Sequence, residues 1–402
     1  MTIGCPDCGE LQEEPAALRP GAVVKCGRCK TQLERTTGRS LDAALACAAA
    51  TFLLLWPANL FPFLTTTVLG VSRQSVLGSS GVSMWQDGWP LLGTIITFFV
   101  VILPFVRFGL LTLVLGLLRV ERRPAWIGRA FRYANVLQVW AMPDVFLLGL
   151  WVAYARLSAT IPTFVGVGAI CFIGAGLLAL VTRATLDKAA IWRRIRPDDP
   201  EPADDDAVTC PHCELVLPAE AERHPCPRCG KTVHARKPNA VSRAAALTLA
   251  GLVMYVPANV YPIATLPIGL KPTSYNVLEG VKDLVQAGFL GLAALVFTAS
   301  FAIPFAKLGG ITLCLWSTVR PAPRHLRWKT TVYRVIEEIG RWSMVDPFVI
   351  ACFVPVTRYN DLLYGRAEPA APFFTGVVIL TIIAASSFDP RLMWDACRRR
   401  PA

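Results

Sequence analysis

The sequence predicts an all-α polytopic membrane protein: two tandem four-helix transmembrane modules, eight spans in all, with a small cysteine-rich module ahead of each. Three observations predict it. The 402 residues are 54% hydrophobic and only 17% charged, against about 25% charged in an average soluble domain. The apolar residues come in blocks, several of them uncharged for about 20 residues, the span a bilayer requires. The whole plan occurs twice, at an offset near 200 residues. This composition argues against a soluble enzyme, and the chain is too apolar for disorder.

The duplication is legible in four motifs that keep one order. Cys26-Gly-Arg-Cys29 recurs as Cys226-Pro-Arg-Cys229, and Pro57-Ala-Asn-Leu-Phe-Pro62 as Pro257-Ala-Asn-Val-Tyr-Pro262. Leu103-Pro104-Phe105 recurs as Ile303-Pro304-Phe305, followed in both copies by a cation, Arg107 and Lys307. Trp140-Ala-Met-Pro-Asp144 returns as Trp342-Ser-Met-Val-Asp346, two residues out of register. Such self-similarity marks an internal repeat.

Residues 1–37 form the first cysteine module, with Cys5 and Cys8 separated by seventeen residues from Cys26 and Cys29. Residues 208–237 form the second, with Cys210 and Cys213 twelve residues ahead of Cys226 and Cys229. Two C-x-x-C turns place four thiolates around one tetrahedral ion, and Gly9, Gly27 and Gly230 permit tight knuckles. A module of about 30 residues has too little core to fold alone, so bound metal would supply its folding free energy. These are read as zinc ribbons holding two zinc ions, with iron as the alternative metal. A disulfide or redox role competes, against the fourfold pairing and a reducing compartment. Four cysteines per site leave no open ligand position for catalysis. With spans on either side, docking or stabilisation suits the ribbons better than nucleic-acid binding.

Transmembrane module 1, residues 40–185, carries apolar segments near 43–64, 91–118, 133–155 and 158–182. Residues 186–207 are a linker whose run from Asp198 to Asp206 is acidic, broken by proline and too charged to pack. Transmembrane module 2, residues 240–402, repeats the four segments near 244–266, 287–319, 335–357 and 369–388. Net charge is +12, and its distribution orients the chain. Arg119, Arg122, Arg123, Arg129 and Arg132 follow the second segment, and Arg320, Arg324, Arg327, Lys329 and Arg334 follow the sixth. The loops on the opposite side hold few cations. The positive-inside rule then places both ribbons, both basic loops and both termini in the cytoplasm. The N-terminus has no charged-then-apolar secretory pattern.

Arg107 and Lys307 fall inside the second and sixth segments, and Asp144 and Asp346 inside the third and seventh. Each stands 12 or 13 residues from a basic loop, which is roughly 18–20 Å along a helix and near mid-membrane. Isolated charges there cost several kcal/mol, so pairing within each copy, Arg107 with Asp144 and Lys307 with Asp346, is the expected arrangement. A structural ion pair explains either one. For Lys307 and Asp346 a functional role is favoured, because lysine loses its proton when buried and arginine does not. Glu337, Glu338 and Arg341 approach that pair in the second copy, where the first has Asn135, Val136 and Val139. Asn59 and Asn259, inside the P-A-N-x-x-P motifs, lie at the outer ends of the first and fifth segments. The paired prolines either break these helices beside a cavity or simply end them. Pro104 and Pro304 are expected to kink long helices, and Trp56, Trp85 and Trp89 to anchor at the interface.

The C-x-x-C modules, the P-A-N-x-x-P motifs, Trp342-Ser-Met-Val-Asp346 and Phe388-Asp-Pro-Arg-Leu392 together resemble the paraquat-inducible protein A family over nearly the whole chain. The resemblance implies a bacterial inner (cytoplasmic) membrane component that works beside MCE-domain proteins, which build hydrophobic tunnels across the periplasm. It implies a role in moving phospholipids between membranes and no enzymatic activity. The expected function is loading or exchange of phospholipid with such a tunnel, with Lys307 and Asp346 as a gate or proton-linked switch. Two alternatives remain: a non-transporting scaffold that anchors the MCE partner, and a metal or redox sensor. No P-loop pattern supports direct ATP use.

Overall fold

The computed structural model describes residues 2–13, 21–35, 41–68, 70–158, 161–196, 207–268, 271–286, 288–320, 325–359, 363–364 and 366–398. Most of the acidic linker, 197–206, and Arg324, Arg399 and Arg400 lie outside the described residues. Among the described residues, eight helices are long and apolar enough to cross a membrane. In chain order they are Leu41–Leu60, Pro90–Arg119, Ile127–Ala155, Val167–Thr185, Ala240–Val260, Leu290–Val319, Leu326–Val356 and Ala370–Ser387. They match the eight expected segments.

Three of the four spans in each half carry an irregularity, and the same one in both. The second and sixth contain a widened π-helical turn, Phe98–Ile102 and Thr298–Ala302, just before Pro104 and Pro304 in the next helical stretch. Proline has no N–H and its ring collides with the carbonyl four residues back; a wider turn relieves both. The third and seventh spans are not continuous α-helices. Ile127–Val136 passes through a 3₁₀ turn, Leu137–Val139, before the helix restarts at Pro143–Ser158. Leu326–Ile339 likewise passes through Gly340–Met344 to Val345–Phe353. Asp144 and Asp346 each stand in the first turn of the restarted helix, where a carboxylate meets unpaired N–H groups. Pro143 and Pro347 fit there because the first turn needs no donor from them.

The first and fifth spans run through Pro57 and Pro257 and end at Leu60 and Val260. Asn59 Nδ2 donates to the Leu55 carbonyl at 2.8 Å, and Asn259 Nδ2 to that of Tyr255 at 2.8 Å. Of the two readings of these motifs, the geometry is that of a helix end. Beyond it lies β-structure that the all-α expectation lacked. Leu64–Val68 pairs antiparallel with Val71–Ser75 and with Thr163–Val165. Ala264–Ile268 pairs in the same way with Lys271–Tyr275 and Arg366–Ala367. The run Leu-Thr-Thr-Thr-Val is β-branched, and Gly70 turns the first hairpin at φ 80°, which glycine adopts without strain. Trp56 and Trp85 are exposed. Trp89 is instead partly buried and its Nε1 donates to the Ala367 carbonyl at 3.1 Å, joining the two halves.

The halves meet along the third and seventh spans. Phe146 and Phe348, equivalent in the repeat, touch each other with ring centroids 5.3 Å apart, so an approximate two-fold axis passes between them. Both are fully buried. Phe348→Ala is expected to cost about 2–3 kcal/mol, the cavity contribution of a lost ring. Lipid tails are as apolar as the core, so little transfer free energy adds to it. Thermal unfolding in detergent checks this beside Phe305→Ala, whose ring is 64% exposed. Equal drops in Tm for both variants would refute a seam held by ring packing.

The cysteine modules dock crosswise. In the first, Thr2–Gly4 pairs with Leu11–Glu13, and Val23–Lys25 with Gln32–Arg35. This module rests on the second half: Arg334 reaches Asp7 Oδ2 at 2.7 Å and the Cys29 carbonyl at 3.2 Å, and Arg391 reaches the Pro6 carbonyl at 3.0 Å. The second module rests on the first half, where Arg132 donates to the Cys229 carbonyl at 2.9 Å and Arg196 to that of Pro227 at 3.0 Å. Arg132 and Arg334 are repeat equivalents, as are Cys229 and Cys29. The same contact is thus made twice across the two-fold.

Candidate functional site

Each cysteine module gathers its four thiols into one buried group. Cys5, Cys8, Cys26 and Cys29 have their sulfurs within 4.8 Å of one another, and so do Cys210, Cys213, Cys226 and Cys229. The closest pairs are Cys5–Cys29 at 3.4 Å, Cys8–Cys26 at 3.6 Å, Cys210–Cys229 at 3.6 Å and Cys213–Cys226 at 3.5 Å. Disulfide sulfurs sit at about 2.05 Å, and these cysteines are free. A tetrahedral ion with bonds of about 2.3 Å sets its sulfurs about 3.8 Å apart, so the residues fit a metal. The residue after each second cysteine has positive φ: Gly9, Lys30, Glu214 and Gly230. Gly27, expected at a knuckle, is not among them. Around the first group, Thr31 Oγ1 lies 2.8 Å from Cys29 Sγ and donates to Asp7 at 2.8 Å. Burial raises the Asp7 carboxyl above its usual range, against the pull of Thr31 and Arg334.

Of the two expected pairs, Arg107 and Asp144 line one crevice, while Lys307 is held by a backbone carbonyl. Lys307, 2% exposed, donates from Nζ to the Gly340 carbonyl at 3.0 Å, not to Asp346. Arg341 leaves its own copy and faces Asp144 across the seam, NH1 to Oδ2 at 3.7 Å. Arg107 shares a narrow crevice with Asp144, Arg183 and Arg341. It is 5% exposed, and its Nε has no partner among the described residues. Glu338, on the exposed rim, pairs with Arg183 and with Arg341 Nη2, the latter at 2.8 Å. Just outside the fourth span, burial holds Lys188 below its usual range, and the fields of Arg107 and Arg183 add to this.

Glu337 is exposed on the seventh span, away from this crevice. Asn59 and Asn259 bond back to their own helices at the outer ends of theirs. Sequence reasoning missed Arg183 and Gln138, which line the crevice. It also missed Ser300 and Ser343, both fully buried. Ser300 lies in the π-helical turn of the sixth span, which packs on the Gly340–Met344 turn that carries Ser343. Arg183 had read only as an orientation charge, and a lone serine in an apolar run carries no signal of its surroundings.

A two-fold duplicated bundle of eight apolar helices, with charges buried at its seam and a four-thiol group on each half, defines an integral membrane protein with a polar interior. The chain belongs to the paraquat-inducible protein A family, whose profile matches residues 41–196 and 241–398, once per half. It is 30% identical over 403 residues to "Intermembrane transport protein PqiA" of Escherichia coli K12, covering 98% of this chain and 95% of that one. It is 29% identical to "Lipophilic envelope-spanning tunnel protein A" of the same organism, over 98% and 91% of the two chains. A "Probable intermembrane transport protein" of Haemophilus influenzae is 26% identical, over 98% and 95%. No solved structure matches.

Proposed function

We propose that this protein is an inner-membrane component of an intermembrane lipid transport system, and that it loads or exchanges phospholipid with a periplasmic MCE-domain tunnel. The names of the relatives support transport between membranes, and the tunnel relative supports a lipophilic cargo. The observation that carries the reading is the seam. There both central helices break at mid-span carboxylates, beside buried cations drawn from both halves. Ionisable groups at that depth mark pathways and switches rather than bulk stability. The ribbons share one side with Arg132 and Arg334, which the positive-inside rule makes cytoplasmic. The eight cysteines would hold two zinc ions there, and zinc would supply the folding free energy of each ribbon.

The gate in this reading is the Gly340–Met344 turn. Lys307 tethers its first carbonyl, and Asp346 stands just beyond its last residue, so a change of charge at either group shifts how the turn is held. The test is phospholipid transfer from proteoliposomes holding the full chain to acceptor vesicles, with the MCE partner bound. Transfer above that of empty liposomes is the expected result. No transfer, with the partner shown bound and competent, would favour a scaffold that only anchors it.

A further inference from the structure

We propose that the crevice at the seam binds the phosphate group of a phospholipid taken from the leaflet on the ribbon side, held by Arg107, Arg183 and Arg341. The inference rests on the lipid-transport reading and names the place and chemistry by which the lipid is held. Three guanidiniums from the second, fourth and seventh spans line this crevice, and Asp144 is the one carboxylate among its lining residues. Asp144 faces Arg341 at the long distance of 3.7 Å, and Glu338 meets Arg183 and Arg341 at the rim. Arg107 is left buried with Nε unpartnered, as is Nε of Arg341. Donors withheld from water without an acceptor cost free energy. A phosphate supplies several acceptor oxygens and the negative charge, and guanidinium forks match it in geometry.

Two further features favour a lipid source over soluble phosphate. Arg183 lies in the last turn of its span, the depth of a headgroup, and basic pockets between helices at that level hold lipid headgroups. Leu180, on the crevice wall, continues an exposed apolar stripe of Ile170, Ile173 and Leu177 down the same helix. That stripe offers acyl chains a path leading from the arginines. The second half cannot form the site. At its equivalent positions Arg341 is matched by Val139 and Arg183 by Ala385, so the duplicated chain carries the site once.

The experiment measures retention of radiolabelled phosphatidylglycerol by the full chain in detergent. Arg183→Gln and Arg341→Gln are each expected to weaken retention about tenfold, one charge-assisted contact apiece. Asp144→Asn, which removes the competing carboxylate, is expected to tighten it. Diacylglycerol, which has the tails without the phosphate, should not displace the label, and inorganic phosphate should displace it only weakly. Unchanged retention in folded arginine variants overturns the proposal, as does displacement by diacylglycerol. Inorganic phosphate competing as well as the lipid overturns the lipid source and leaves a soluble phosphate site. If the arginine variants fail to fold, Asp144→Asn decides, and no gain in retention refutes the site. The same preparations in the transfer assay keep the two readings apart. Normal transfer with arginine-independent retention sinks only the site, whereas arginine-dependent retention without any wild-type transfer sinks only the transport function.

Discussion

Removing metal from the two four-cysteine groups is expected to unfold both ribbons and loosen the ends of the opposite membrane halves. Among the described residues, each ribbon has short hairpins around its thiols and, in the second, one 3₁₀ turn, and structural zinc contributes about 10–16 kcal/mol in comparable peptides. Nothing else in so small a unit offsets chain entropy on that scale. Because the docking is crosswise, loss of the first ribbon frees Arg334 from Asp7 and from the Cys29 carbonyl. Loss of the second frees Arg132 from the Cys229 carbonyl. The measurement is thiol labelling before and after chelation, with bound metal counted. Eight cysteines should become reactive together, and protease should gain access near Arg132 and Arg334. A protein stripped of metal whose eight thiols stayed protected would show ribbons held by packing instead. Cys26→Ser and Cys226→Ser separate this from sensing, because a sensor loses its response while staying folded.

Lys307→Met is expected to lower phospholipid transfer at least tenfold while leaving the protein folded. The ammonium is buried, and its recorded partner is one backbone carbonyl, at Gly340. A charged hydrogen bond contributes about 1.5–3 kcal/mol, and burying an ammonium costs several. The two effects roughly cancel, so Tm should change little or rise. A Cβ at Gly340 would lie 3.0 Å from Lys307 Cε, so a side chain there would shift the end of the lysine. Without the tether the Gly340–Met344 turn no longer responds to the charge of Lys307, and the Asp346 end of the turn moves independently. Asp346→Asn tests the other end in the same assay. Wild-type transfer from both variants at normal protein level would refute the gate. A large fall in Tm for Lys307→Met would make the lysine a structural post.

Much of the architecture was legible before any coordinate. Eight spans, two halves and two sets of four thiols follow from composition and from motifs at fixed spacing. Four charged residues inside apolar segments were legible too. The partners of Lys307 and Arg341 were not. Arg341 had read as a neighbour of Lys307 and Asp346, yet it faces Asp144 of the other half. The outer sheets were missed because β-branched runs beside apolar helices have no periodicity to distinguish them. The breaks in the third and seventh spans were missed for a related reason: a 3₁₀ turn of apolar residues reads like the helix it interrupts.

By itself, the sequence determined the spans, the duplication, the side that carries positive charge and the identity of the sulfur donors. Each of these is set by local composition or by spacing along one stretch of chain. Only the tertiary structure decided that the ribbons exchange halves, that Lys307 holds a carbonyl, and that three arginines converge on one crevice. Those outcomes depend on how two similar halves pack about a common axis. Residues that meet across such an axis are remote in the chain, and no local pattern records the meeting.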